Sequence, residues 1–395
     1  MTGVLVPADE NDLAVVVADA NRRRRPLAVV GGDTRAGLGR PTQTAASLST
    51  SALVGVTLYE PAELVLSARA GTPLADVEKL LSEKGQRLAF EPMDHRALLG
   101  SKGEPTIGGV VAANVSGPRR IQAGAARDSL IGVRAVTGEG DIVRSGGRVM
   151  KNVTGYDLVK VLAGSFGTLA VMTEVTFKVL PVPEAETTLV ISGLDDARAI
   201  EALSAALGSP FSVTGAAHRP AFGREPPRSF VRLEGFSASV ADRSSRLAAE
   251  LAGFGKVERL DRAASARVWQ TIRDVELLGA APKVPIWRAS VKPSSAATMV
   301  EAVRRTLDCR VLYDWGGGLV WIAGGEGRDA GAAIVRAAVA SVGGHATLVR
   351  APEDVRAAIE VFQPLDPALM VLTRKLKQTF DPAGIVNPGR MYPGV

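Results

Sequence analysis

Apolar positions along the chain alternate between helical and strand spacing, and the switches mark elements. Leu13, Val16, Val17 and Ala20 fall at i, i+3, i+4 and i+7, one face of a helix that Asp9 or Asn11 would cap. Pro26-Leu27-Ala28-Val29-Val30 is a short buried strand that opens into Gly31-Gly32-Asp33-Thr34-Arg35-Ala36-Gly37-Leu38-Gly39. Residues 63–68 read as a strand. Thr72 is placed to cap a helix with Pro73 at its first position, Leu74, Val77, Leu80 and Leu81 as its buried stripe and Gly85 as its stop. Beyond Thr106 the spacing turns β-rich, with strands at 131–136, 141–144 and 169–179 and hairpin turns at Gly138-Glu139-Gly140 and Ser145-Gly146-Gly147.

After Pro181-Val182-Pro183 the character changes. Candidate strands at 188–191, 229–233, 285–291, 319–322 and 346–349 alternate with alanine-rich helices at 195–207, 241–251, 294–307 and 330–342. Two helices close the chain. One carries Val355, Ala358, Ile359 and Phe362; the next starts at Asp366-Pro367 and carries Leu369, Leu372 and Leu376. The fold class is α+β, divided at 1–183, 184–350 and 351–395. Trp287, Trp315 and Trp321 lie in strand-like contexts and read as core.

Composition narrows the function classes. A chain of 395 residues exceeds the size at which one core keeps growing. No apolar run approaches the ~20 residues of a membrane span, and Met1–Val6 meets Pro7 and Asp9 with no basic stretch before it, unlike a secretory signal. One cysteine, Cys309, excludes an internal disulfide and any cysteine-rich metal or iron–sulfur site. The expected location is cytoplasmic. The net charge of +6 comes with only 5% aromatics and no interleaved basic–aromatic stripe, so nucleic acid ranks behind an acidic protein neighbour. The run Arg22–Arg25 fits a solvated helix end, where cations complement the helix dipole.

Glycines cluster where short apolar runs begin or end, and most densely between Thr106 and Pro181. A strand that runs into consecutive glycines can aim a row of backbone N–H groups at an anion. Gly31–Gly39 is neither G-x-G-x-x-G nor G-x-x-x-x-G-K-[ST], and Leu-Gly-Arg-Pro follows it. Taken alone, the loop is as well read as a tight turn.

Several motifs in order carry a resemblance. The Gly31–Gly39 loop, Thr106-Ile107-Gly108-Gly109 with Ser116-Gly117 downstream, Lys151-Asn152-Val153-Thr154-Gly155-Tyr156-Asp157, Gly164-Ser165-Phe166-Gly167-Thr168-Leu169 and Phe380-Asp381-Pro382…Asn387-Pro388-Gly389-Arg390 resemble FAD-linked oxidases of the vanillyl-alcohol oxidase type. Within that family, Ser116–Arg120, Gly124–Asp128 and Gly146–Val153 are similar to the FAD-binding E-type subunits of bacterial glycolate oxidases. The resemblance implies a two-lobed PCMH-type FAD-binding domain, an α+β cap domain and a C-terminal helical segment that returns to the FAD domain.

It also implies site residues. Gly31, Gly32, Asp33, Thr34 and Arg35 would hold the pyrophosphate, mainly through backbone N–H groups. Thr106, Gly108, Gly109, Asn114, Ser116 and Gly117 would wrap the ribityl chain and pyrophosphate. Gly124, Arg127 and Asp128 would continue that wall, unless Arg127 and Asp128 form a local ion pair. Val171 would approach the adenine with its backbone, and Asn387 and Arg390 would lie near the ring.

Two departures from the family shape the expectation. Asp33-Thr34 stand where many members carry a flavin-linked histidine, so FAD is expected to be non-covalent. His95, His218 and His345 are the only histidines, and none has a second one at ligand spacing, so no metal and no catalytic base are assigned. The resemblance implies an FAD-dependent subunit acting on CH–OH donors within a complex. Its partners would be a homologous flavoprotein subunit and an iron–sulfur subunit, its substrate a small 2-hydroxy acid such as glycolate, and a membrane would be reached only through the complex. The alternatives are a stand-alone FAD oxidase with a base near Arg288, Tyr313 or Trp315, and a flavin fold that serves only as a structural partner.

Overall fold

The computed structural model describes residues 3–147, 157–279 and 283–395, so the box Lys151–Tyr156 lies outside the described residues. The chain forms two compact units. One comprises Met1–Ser116, Ala123–Val182 and Glu360–Val395, the other Gly117–Gln122 and Pro183–Ile359. The six residues 117–122 thus group with the second unit rather than with their sequence neighbours, and the second unit runs past residue 350 to Ile359.

In the first unit, three short parallel strands β1 (Gly3–Leu5), β2 (Leu27–Val30) and β3 (Ala46–Ser49) pair in the order β1-β3-β2. Helix α1 (Glu10–Arg22) starts at Asp9, whose carboxylate accepts the Asp12 N–H, and buries Leu13, Val17 and Ala20 against Leu27, Leu48, Val136 and Val171. A larger antiparallel sheet runs β4 (Val56–Glu60), β5 (Val65–Arg69), β9 (Ala170–Pro181), β7 (Leu130–Thr137), β8 (Ile142–Gly146), with β6 (Gln86–Leu88) paired to the far end of β9.

Local chemistry corrects three readings. Thr72 does not cap the following helix α2 (Leu74–Ser82): its hydroxyl serves Gly55 and the Arg69 carbonyl, and Pro73 takes the cap position. Thr106–Gly109 is a helix start at the head of the stretch read as β-rich. The Thr106 hydroxyl accepts the Gly109 N–H, while Ile107, Val110 and Val111 give α3 (Ile107–Ala112) an apolar face. Gly138–Gly140 does join the β7–β8 hairpin, but Ser145 and Gly146 are paired strand residues opposite Val133 and Gly132.

The second unit is an eight-stranded antiparallel sheet: β13 (Val257–Leu260), β10 (Ala185–Ser192), β12 (Arg228–Gly235), β11 (Gly215–Arg219), β15 (Cys309–Asp314), β16 (Leu319–Gly324), β14 (Ile286–Ser290) and β17 (His345–Arg350). Helices α4 (Asp196–Gly208) and α5 (Ser237–Leu251) bury Leu203, Leu247 and Leu251 against Leu189, Ile191, Ala216, Val231 and Leu233 on one face. Helix α6 (Arg262–Arg273) crosses part of the other, where the Trp269 indole N–H donates to Thr188. β11, β13, β15 and α6 carry weak or mixed apolar spacing and escape the sequence reading. α7 (Ala296–Arg304) and α8 (Ala332–Ser341) match the alanine-rich pattern.

The last helix, α9 (Pro367–Phe380), contradicts its pattern. Leu369, Leu372 and Leu376 are exposed, and the residues it buries are Lys377 and Phe380. The Lys377 ammonium spends its three N–H groups on the Thr168 carbonyl (2.6 Å), the Asp381 carboxylate (2.7 Å) and the Val386 carbonyl (2.8 Å). Asp381 accepts in addition from the Ile385 and Val386 amides. Residues 385–387 then line the open edge of β2, with Leu27 N–H donating to Ile385 and Asn387 N–H donating back to Leu27. Among the described residues no helix is long and apolar enough to cross a membrane.

A buried ion pair costs most when one partner is removed. Asp381→Asn should therefore destabilise the first unit by about 3–5 kcal/mol, read as a lowered urea midpoint. The double variant Lys377→Met/Asp381→Leu should recover part of that loss. Equal midpoints for wild type and Asp381→Asn would refute the clamp.

Candidate functional site

The first unit gathers the glycine-rich loop and the start of α3 into one place. A Cβ on Gly32 would stand 1.5 Å from the Glu104 carbonyl oxygen, and one on Gly31 would stand 2.5 Å from the Thr106 hydroxyl. At Gly32 backbone packs on backbone, and at Gly31 backbone packs on the Thr106 side chain, so neither position has room for a side chain. Asp33 adopts φ +56°, and the amides of Gly32, Asp33, Thr34 and Arg35 donate to no acceptor among the described residues. Consecutive open amides of this kind form an anion nest.

Arg35 sits beside them, buried. One guanidinium nitrogen lies 3.3 Å from where a Gly109 Cβ would be, and another reaches the Met93 carbonyl at a long 3.4 Å. Its Nε has no hydrogen-bond partner. Burial pushes the guanidinium down to about 10, with the Asp94 charge opposing. An orphaned buried N–H on a desolvated cation, next to open amides, matches a phosphate-bearing ligand.

The remaining expected residues fall into separate groups. Thr106, Gly108 and Gly109 adjoin the loop, and Gly108 packs its backbone on Ala70. Arg390 donates to the Arg35 carbonyl at 2.9 Å. Asn114, at φ +46°, accepts the Arg127 N–H, and Asp128 accepts the Ala125 N–H rather than pairing with Arg127. Gly124, at φ +72°, faces Asp128. Asn387 commits its side chain to the backbone, accepting from Val29 and donating to Phe166. Val171 is paired with Val136, and its side chain is core. Ser116 ends a stretch of the first unit, while Gly117 groups with the second.

The second unit holds a different cluster. Trp315 follows β15 at φ +54°, a left-handed conformation that a bulky residue rarely adopts, and Asp314 accepts its N–H at 2.7 Å. Its indole N–H donates to the Gly117 carbonyl at 3.1 Å. The guanidinium carbons of Arg120 and Arg288 lie 5.0 and 5.2 Å from the ring centroid, both within cation–π range. The register sets Arg288 opposite Trp321 and Thr347, and Ser290 opposite His345, so these side chains share one face of the sheet.

The Arg288 guanidinium makes no hydrogen bond or ion pair with another described residue. Burial and then the neighbouring Arg120 charge push it down to about 10, against Asp314. Burial, Arg288 and Arg120 likewise hold the His345 imidazole below its ordinary value.

Tyr313 projects from the opposite face. It pairs with Val320, and its hydroxyl donates to Asp196 on α4 at 2.7 Å. Asp196 also binds Arg304 (2.6 Å), and His218 lies buried against Ser229. Of the proposed base neighbours, Arg288 and Trp315 lie together and Tyr313 does not. The wrapping of Trp315 by Arg120 was not visible in the sequence, because the two are far apart in the chain. Trp287 and Trp321 are buried as expected, and Trp315 is half-buried.

Comparison with known proteins gives this geometry a lineage. A family profile described as an FAD binding domain matches residues 1–146. Glycolate oxidase subunit GlcE of Escherichia coli is 36% identical over 369 residues, covering 93% of both chains. Glycolate oxidase subunit GlcD of Bacillus subtilis and a D-lactate dehydrogenase of Archaeoglobus fulgidus are each 30% identical. They cover 47% and 48% of this chain, and 38% and 41% of their own lengths. Among solved structures, a 4-ethylphenol oxidase from Gulosibacter chungangensis superposes with a TM-score of 0.75 at 14% identity, covering 99% of this chain and 90% of its own. An alkyldihydroxyacetonephosphate synthase gives 0.73 at 17%, covering 98% and 75%. The chain belongs to the PCMH-type, vanillyl-alcohol-oxidase-like family of FAD-linked oxidoreductases, in the branch that includes glycolate oxidase subunit GlcE.

Proposed function

We propose that this chain is the FAD-binding subunit of a 2-hydroxy-acid oxidising complex of the glycolate oxidase type. The supporting observation is the open row of amides from Gly32 to Arg35 beside the orphaned Arg35 Nε. In this reading the pyrophosphate of FAD lies on that loop and is held without a covalent link. Bound FAD supplies the two-electron acceptor for oxidation of an alcohol next to a carboxylate.

The chain's own residues bind and orient. Arg35 and the loop amides neutralise the pyrophosphate, and the tight contact of Gly32 on Glu104 fixes their direction. In the second unit, Arg288 anchors a small carboxylate, with Arg120 raising the local positive potential, Trp315 holding the guanidinium planes and His345 adding a charge only when it takes up a proton. No side chain is assigned as the base. Tyr313 is engaged by Asp196 on the other face, and burial holds its phenol far above the usual range. GlcE and GlcD are both named as subunits, which supports an assembled enzyme with a homologous flavoprotein; in this reading an iron–sulfur partner carries the electrons onward.

The purified chain should be yellow and should release its flavin into the supernatant on acid precipitation. Flavin left in the pellet would refute non-covalent binding. Arg35→Met should weaken FAD binding by roughly 10- to 100-fold, as loss of a charge-assisted hydrogen bond implies, measured by fluorescence titration of the flavin-free chain. An unchanged affinity would remove Arg35 from the site.

A bound carboxylate favours the His345 imidazolium, so binding takes up a proton. Affinity for glycolate should therefore rise as pH falls through the range below 6.5, the imidazole's ordinary value. Calorimetry across that range should show the slope in wild type and lose it in His345→Gln, while Arg288→Gln should weaken binding roughly 10- to 100-fold throughout.

A further inference from the structure

Helix α9 is built inside out. Leu369 is 53% exposed, Leu372 57% and Leu376 43%, and all three fall on one side of the helix at i, i+3 and i+7. Val371 adds 51% on a neighbouring face. The other exposed large apolar residues are scattered from Val4 to Phe236. Nothing about the helix is loose, since Lys377 fastens it through three hydrogen bonds to the first unit. A rigid helix that presents leucines to solvent is unfavourable unless something covers them.

The charges select the cover. From Pro367 to Phe380 the helix has no acidic residue, and Arg374 and Lys375 stand exposed beside the leucines. The Asp366 carboxylate before it is already used on the Ala368 N–H. A second copy meeting this face in a two-fold contact would set Arg374 and Lys375 against their own counterparts with no carboxylate on the helix to separate them. A membrane surface is also a poor match, because two cations fall short of the four to eight that mark lipid-binding clusters.

We propose that the Leu369–Leu372–Leu376 face of α9 is where this chain docks a partner subunit that offers an apolar groove rimmed by carboxylates. This rests on the assembled enzyme proposed above. The leucines fill the groove as helix-borne anchors, and Arg374 and Lys375 set its polarity.

The test is co-expression of the full chain with a homologous flavoprotein subunit of its complex, followed by affinity purification through that subunit and light scattering. Leu372→Asp/Leu376→Asp should cut the recovered complex at least tenfold, and so should the surface pair Arg374→Glu/Lys375→Glu. The isolated variants should keep the flavin content and melting temperature of wild type. Undiminished recovery for both pairs would overturn the proposal. So would a wild-type homodimer that these substitutions dissociate, or wild-type binding to phosphatidylglycerol vesicles that they abolish while the complex stays intact. If the wild-type chain itself is not recovered with the flavoprotein subunit, the assembled-enzyme reading fails and the docking face falls with it.

Discussion

The first unit depends on a lysine that is where a leucine would be expected. Lys377 leaves solvent because Asp381, one helical turn on, meets it together with two backbone carbonyls, so every N–H of the ammonium is used. Burial lowers its affinity for a proton and the Asp381 charge opposes that. Through Asp381 the pair holds the 385–387 segment, and that segment closes the free edge of β2. β2 in turn launches the loop whose Gly32–Arg35 amides donate to no acceptor among the described residues. The Lys377–Asp381 pair thereby anchors residues 385–387 to the strand from which the loop leaves.

That arrangement explains which parts of the site were legible. Gly31–Arg35 and Thr106–Gly109 announce themselves because a loop squeezed between backbones tolerates only glycine at certain points, and glycines are visible in a sequence. Alternating strands and alanine-rich helices give the second unit for a similar reason: a sheet face and a helix stripe impose fixed periods. Asn387 was legible as important but not in its role, since a side chain that binds backbone on two elements looks like one that binds a ligand. The α9 helix misled for a cleaner reason. Its period places three leucines on one face, and period alone cannot say which face is inward when a lysine with a good partner outcompetes leucine for the buried side.

The cation cluster was illegible because it is made by a bend. Arg120 belongs to six residues that leave their sequence neighbours for the second unit, where Arg119 forms a buried ion pair with Glu234 at 2.5 Å. The difference between Arg119 and Arg288 is instructive. One buried arginine is neutralised by a carboxylate of its own unit. The other has an indole face and a second arginine, and is left with its charge only weakly opposed. Two arginines of one fold, Arg119 buried and Arg288 half-buried, thus have opposite electrostatic fates.

A cation–π contact is worth at most about 2 kcal/mol when desolvated, less than the several kcal/mol that desolvation costs an ion. Trp315 can therefore orient the Arg288 and Arg120 guanidinium planes but cannot balance their charge. The same tryptophan sits in a left-handed backbone conformation, itself a cost of order 1–3 kcal/mol. The two unfavourable features thus lie side by side at one point of the second unit. The Arg35 loop follows the same logic with different parts, open amides in place of a second arginine and glycine packing in place of an indole. Each unit thus keeps one arginine, Arg35 or Arg288, whose guanidinium forms no ion pair with another described residue.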